Sequence, residues 1–442
     1  MQKRFISSLK NKSLQLLLAG GLLASSTTAF AQKTTSASPY SQLGIGQMRE
    51  DLLPQQRAMG GISTGVRTLD GLYYNTNPSN PASYSAARMS IFDAGLYGNF
   101  TQLNSTTRSD NTADFAFSHI TMTFPMKRFG GISLGILPYS DVGYRTESQE
   151  TINSSVFRKV FTGEGGLTKA YAGWGVRLVK GLSIGANVSY LFGTLNDYSR
   201  VEFPVSSGAL NVQQQDKREI QGIILDYGLQ YEHVFNKEYA VTLGYSGSLN
   251  NDIKDRSTTF VTRLAPSADP ENANLPTDTT FQSPRESRHL TLPLKHNVGF
   301  TLARSGRWLV GADFKYADWS RFQVRTGENR LRKNYGVAVG GQLTPDRTSF
   351  KYLNQIDYRL GFRYNKTQYF LNDQNINDMA VSVGVGLPLA RNQYTGAFSK
   401  INVSAEFGQM GKIANGLLRE RYININIGFT LNDRWFVRNQ FN

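Results

Sequence analysis

An all-β membrane barrel is the fold class this sequence predicts, and three observations predict it. From Arg421 the chain reads Arg-Tyr-Ile-Asn-Ile-Asn-Ile-Gly-Phe-Thr-Leu, so Ile423, Ile425, Ile427, Phe429 and Leu431 share one parity. Asn424, Asn426, Gly428 and Thr430 take the other, which on a pleated strand gives one apolar face and one polar face. A bilayer-crossing strand needs about 9–11 residues, and this one has that length. The second observation is recurrence, since the same alternation returns about fourteen times along the 442 residues, an even number as bacterial barrels require. The third concerns the connections, which alternate between short turns and long polar loops, as the two rims of an outer-membrane barrel do.

Composition excludes other classes. Mean hydropathy is −0.36 and no apolar run beyond the first thirty or so residues could span a bilayer as a helix, so a membrane form must be a closed barrel. Residues 1–31 read as a secretory signal peptide: Lys3, Arg4, Lys10 and Lys12, an apolar stretch from Leu14 to Ala24, and a small-residue cleavage site at Ala29-Phe30-Ala31. Export suits the absence of cysteine, which also rules out thiolate chemistry and a Cys-ligated metal. Net charge is +15, and +11 remains once the four leader positives are removed. These charges are scattered between strands rather than gathered in an arm or helix, which fits anionic lipid headgroups better than nucleic acid.

Taken in order, Gln32–Ser38 is a polar leader expected to be flexible. Residues from Pro39 to Arg88 carry Gly-rich turns and short apolar clusters without alternation, a segment of turns and short helices that must pack inside something else. Alternation starts at Phe92, Ala94, Leu96 and Phe100. Ile120, Met122 and Phe124 follow, then Ile132, Leu134 and Ile136, a strand that meets Pro138, where a missing donor marks a bulge or break. Further outward sets are Ala170–Leu178, Leu182–Phe192, Ile223–Tyr231, Val241–Tyr245, Val298–Leu302, Trp308–Tyr316, Val337 and Val339, Tyr358–Tyr364, Val381–Leu387, Ile401–Phe407, and the last strand. Lys127–Gly131, Val179–Gly181, Phe235–Glu238 and Arg304–Arg307 are predicted short turns. Asn104–Asn111, Thr146–Gly166, Phe203–Asp216 and Lys254–His289 are predicted long loops.

With these pieces in place the chain resembles the FadL-type (FadL/TodX-like) family of outer-membrane transporters for hydrophobic compounds, in its Bacteroidetes form. The residues carrying the resemblance are Arg57-Ala-Met-Gly-Gly-Ile-Ser-Thr-Gly, Asn80-Pro-Ala-Ser, Pro138, Leu292-Pro-Leu-Lys-His-Asn-Val-Gly-Phe and Gly311-Ala-Asp-Phe-Lys-Tyr-Ala-Asp-Trp-Ser. It implies a fourteen-stranded barrel (residues 89–442) plugged by an N-terminal hatch (32–88), with lateral exit at a kink in the third strand. Arg57, Gly60, Gly61, Asn80, Pro81 and Ala82 would then belong to the hatch, and Pro138, Tyr139 and Gly143 to the kink. The function implied is passive transport of long-chain fatty acids or similar molecules. The alternative is an accessory or shuttle protein of an outer-membrane machine, of type IX secretion or barrel assembly, for which the long loop 254–289 offers reach.

Polar-parity charges face the lumen: Arg177, Asp313, Lys315, Asp357, Arg359, Arg363 and Glu406. A satisfied ion-pair network is the favoured reading for them over a ligand-carboxylate site. His119, His233, His289 and His296 are not spaced to share a metal, and neither H-E-x-x-H nor G-x-S-x-G occurs. The expectation is therefore a non-enzyme without cofactor, a monomeric barrel whose partners are outer-membrane lipid, a hydrophobic ligand or proteins of a complex.

Overall fold

The computed structural model describes residues 38–434 apart from 69–74, 107–108, 153–154, 205–206, 237, 266–275, 323–330, 390–396 and 415. The predicted signal peptide and residues 32–37 of the leader lie outside the described residues.

Fourteen strands close one antiparallel barrel: β1 (Ser90–Asn104), β2 (Ser109–Pro125), β3 (Gly131–Ile152), β4 (Ser155–Val179), β5 (Leu182–Glu202), β6 (Asn211–Phe235) and β7 (Tyr239–Ser248), then β8 (Lys295–Arg304), β9 (Trp308–Asp318), β10 (Lys333–Leu343), β11 (Asp357–Leu371), β12 (Gln374–Pro388), β13 (Phe398–Gly411) and β14 (Arg419–Asp433). Each pairs with its neighbour in sequence, β7 pairs directly with β8, and β14 closes on β1 with Ile427 opposite Leu96. The apolar parity faces outward on every wall: Leu96 is 64% exposed, Ile223 58% and Leu360 61%. A continuous apolar belt of this kind would be insoluble in water and is matched by a bilayer.

Three predicted long loops are corrected. Thr146–Gly166 is not a loop, because Thr146 pairs with Phe161 and Glu147 with Val160, carrying the β3–β4 hairpin far above the apolar belt. Phe203–Asp216 is shortened likewise, since β6 begins at Asn211. Within Lys254–His289 the chain forms three further strands, Asp252–Leu264, Pro276–Gln282 and Glu286–Thr291, the first paired with the upper part of β6. Neither face of these extensions meets lipid, and buried Val160, Ile253 and Leu264 alternate with polar residues, so no continuous apolar parity betrays them in sequence. The sorting of loop lengths also fails after β10: the connection to β11 on the short-turn rim holds a helical turn, Tyr352–Gln355. Opposite it, β11 and β12 join on the long-loop rim through Asn372 and Asp373, both at positive φ.

The described residues of the 38–88 segment lie within the barrel. A 3-10 turn (Pro39–Gln42), a two-residue strand (Gln47–Met48), a helical turn (Pro54–Arg57) and a second 3-10 turn (Pro81–Ala86) succeed one another. Leu53, Ala58, Met59, Ile62, Val66, Asn80 and Ala82 are all fully buried.

Candidate functional site

The candidate site is the plugged lumen and the wall beside it. Glycines on the inward parity of the strands form its seat. A Cβ on Gly361 would lie 2.0 Å from the Gly60 amide nitrogen, on Gly244 2.0 Å from the Thr64 carbonyl, and on Gly185 2.4 Å from the Pro81 carbonyl carbon. Glycine is the residue that lets backbone approach backbone so closely. Gly60 and Gly61 themselves turn at φ 71° and 87°, a conformation strained for any other residue.

Polar side chains then pin the plug. Asp313 accepts from the amides of Ser63 (2.7 Å) and Thr64 (2.8 Å), while Thr301 donates to the Gly65 carbonyl at 2.9 Å. Asn80 caps the turn at Pro81–Ala86 by accepting from the Ala82 amide at 3.2 Å, and its amide donates to the Thr64 carbonyl at 2.7 Å. Asn80→Ala is expected to remove about 1–2 kcal/mol from this contact. Amide exchange across residues 77–86 should speed up while the barrel strands stay protected, and unchanged exchange would refute the role.

Three consecutive residues tie the plug to three different strands. Arg49 pairs with Asp141 of β3, Glu50 with Lys315 of β9, and Asp51 with Lys169 of β4. Burial would raise the Glu50 carboxyl, but the Lys315 ammonium outweighs it and holds the group below the usual carboxylate range. A lowered folded value makes the stabilisation complete above the unfolded value of about 4.3 and lost as pH falls through the folded one. Protection factors at residues 50–61, corrected for the intrinsic slowing of exchange in acid, are therefore expected to fall as the pH is lowered, and Glu50→Gln should abolish that fall. Arg57 braces the plug itself, donating to the carbonyls of Leu52 and Glu50.

The remaining lumen charges are paired. Arg363 binds Glu406, Asp378 and the Tyr422 hydroxyl. Asp357 gathers Lys400 (2.7 Å), Arg347 (2.9 Å) and Arg359 (3.1 Å). Arg177 sits at the short-turn rim, 3.9 Å from Glu232, which also lies 3.7 Å from buried Arg67. His119 faces Asp93 at 2.7 Å and His296 faces the Tyr245 hydroxyl at 2.7 Å. His233 packs edge-on to Phe235, and His289 pairs with Lys254 above the belt. Among the described residues no group of three His, Asp or Glu could hold a metal.

A cavity of about 300 Å³ remains between plug and wall, lined among others by Arg49, Glu50, Asp51, Lys169, Lys295 and Arg363. Above it the apolar side chains are already packed: Tyr40, Leu43 and Ile45 of the N-terminal segment fill a cluster with Tyr139, Leu167 and Leu191. Ser38 is anchored too, its amide donating to the Gly143 carbonyl and its hydroxyl to Glu420, so the leader is not free at its end.

The third strand is irregular where Pro138 interrupts it. Its register with β4 shifts between Pro138 and Ser140, and from Tyr139 to Gly143 its other edge carries plug backbone. Gln47 pairs with Asp141, Met48 with Ser140, and the Arg49 amide donates to the Tyr139 carbonyl. Pairing between β2 and β3 accordingly runs only from Pro125↔Gly131 to Ile120↔Ile136. Sequence reading singled out Pro138, Tyr139 and Gly143 but missed Arg49-Glu50-Asp51, the Tyr40–Ile45 filler and most of the glycine seat. Glycine recurring on the inward parity (Gly228, Gly244, Gly361, Gly384, Gly428) was the available signal.

Comparison with known proteins places this geometry. A family model described as BamG matches residues 14–442. The fold is similar to that of a Pseudomonas aeruginosa FadL homologue, with 12% identity and a TM-score of 0.59 over 88% of this chain and 100% of that one. The Pseudomonas putida toluene transporter TodX aligns at 16% identity and a TM-score of 0.54, over 88% of this chain and 100% of its own. The monoaromatic hydrocarbon channel CymD gives 15% and 0.52, over 87% and 98%. Identities this low carry the fold, an outer-membrane barrel of FadL type, and no more. No curated protein matches the sequence.

Proposed function

Because the chain belongs to the BamG family, we propose that it is a membrane-embedded accessory subunit of an outer-membrane machine of the barrel-assembly kind, as found in Bacteroidetes. One observation carries this reading against a conduit for oily molecules. The apolar space inside the barrel is filled by the chain's own Tyr40, Leu43 and Ile45, and the space left open carries the ion pairs of Arg49, Glu50, Asp51 and Arg363 in its lining. Ligand sites for hydrophobic compounds are apolar with few polar groups, and a charged lining gives such a solute nothing in exchange for its contacts. A plug held by ion pairs to three strands and seated on glycine backbone is suited to closing a pore.

The test is purification from native membranes in mild detergent, followed by mass measurement of the intact assembly. A stoichiometric protein partner is expected; a lone barrel would overturn the reading.

A second reading, passive transport of hydrophobic compounds, is favoured by the interrupted β2–β3 pairing and by the fold shared with the FadL homologue and TodX. It requires the Tyr40–Ile45 segment to leave its pocket. Saturable binding of a fatty acid or toluene to the purified chain, with faster amide exchange at residues 40–45, would favour it; no saturable binding is the result expected here.

A further inference from the structure

We infer that the upper edge of β2, from Ser109 to the bulge at Ser118, is a strand-acceptor site that takes an extended segment of a partner polypeptide by backbone pairing. The inference rests on the accessory-subunit reading and names how the partner is held.

On one side, β2 pairs with β1 along its whole length, Asn104↔Ser109 through Ile91↔Thr123, with a register shift that leaves Ser118 unpaired. On the other side, pairing with β3 ends at Ile120. Beyond that point no described residue pairs with the outer edge of β2. The edge of β3 that should have met it is turned away and occupied by Ser38–Arg49 from Gly143 down to Tyr139. Above Gly143, the ladder with β4 continues to Ile152↔Ser155.

The lower part of this edge lies at bilayer depth. Phe115 is 66% exposed and Phe117 39%, on the same outward parity as Leu96 and Phe100 of the neighbouring strand. Phe115 meets Phe100 edge-on at 5.4 Å between ring centroids. Hydrocarbon cannot satisfy a row of backbone N–H and C=O groups, which is why open sheet edges are not left against lipid. From the lumen side the seam is backed by Arg49, whose Nε meets Asp141 on β3 and whose Nη2 meets the Tyr97 hydroxyl on β1, each at 2.5 Å. Its guanidinium lies 4.1 Å from the Tyr97 ring centroid. The slot is thus closed inward and open outward, a shape that suits an added strand better than a solute on its way through. Backbone spacing is the recognition element, so the occupant is an alternating apolar–polar strand of another outer-membrane protein.

The chain has no cysteine, so Asn111→Cys, Ala113→Cys and Phe115→Cys, all on the exposed parity, can be cross-linked singly in native membranes. Cross-links to partner positions that step by two residues as the site steps by two are expected, with outward Phe314→Cys on β9, across the barrel, as a negative control. In the intact assembly, amide exchange over residues 109–118 should be slower than in the isolated chain by on the order of a hundredfold. A partner that co-purifies while this edge exchanges equally fast in both states, or cross-links without the two-residue step, overturns the strand-acceptor site and leaves the accessory reading standing. Slowing of the isolated chain by toluene alone also overturns it, in favour of hydrocarbon in the seam. A chain that leaves native membranes with no partner at all overturns both.

Discussion

Replacing Gly361 with valine is expected to leave a folded barrel whose plug no longer seats. The position faces the lumen between outward Leu360 and Phe362, and any Cβ there would lie 2.0 Å from the Gly60 nitrogen and 2.1 Å from the Met59 carbonyl carbon. Both obstacles are backbone, so neither can swing aside as the tip of a long side chain could. Overpacking of this sort costs about 1–3 kcal/mol, and here the strain falls on the plug because the strand is held by ladders on both sides. The heat-modifiable gel shift of a closed barrel should persist. In planar bilayers the wild-type chain should be electrically silent and Gly361→Val should conduct. Ala405→Val, on the lipid-facing parity of β13, should stay silent. A silent, equally stable Gly361→Val would mean that the glycine seat does not hold the plug.

Asp357→Ala should be the most destabilising single change in the wall. The carboxylate is fully buried and is the shared partner of Lys400, Arg347 and Arg359, with the Thr344 hydroxyl donating to it at 2.7 Å. Removing it leaves several cations facing one another away from water. Breaking a buried ion network from one side costs about 3–5 kcal/mol. Lys400→Met should cost less, since Asp357 keeps two arginines. Urea unfolding of the barrel in lipid vesicles measures both. The ranking is the informative part: if Lys400→Met proved the more damaging, Asp357 would not be the centre of the network.

The strands of the bilayer belt were legible because burial in lipid is a one-sided constraint repeated every two residues. Ile423 to Leu431 display it, and so do Ile223 to Tyr231. Glu147–Val160 and the strand at Asp252–Leu264 were not legible as strands, because above the belt neither face meets lipid and both parities mix polar with apolar residues. The helical turn at Tyr352–Gln355 escaped for a related reason, since a rim connection of any length satisfies the strands it joins. Within the lumen, parity alone identified Asp313, Lys315, Asp357, Arg359, Arg363 and Glu406 as inward, and it could go no further. Their partners Ser63, Glu50, Lys400 and Asp378 come from other strands or from the plug, and in the case of Asp313 and Ser63 from 250 positions away.

By itself, then, the sequence determined which face of each strand meets lipid, and with it a closed barrel of fourteen strands, because the pleat makes facing a local, two-residue property. Tertiary structure alone decided how the lumen is filled, which charge meets which, and where the wall is left unpaired. Those depend on distances between strands that adjoin only once the cylinder has closed, and on a plug whose turns carry no period for a reader of sequence to follow.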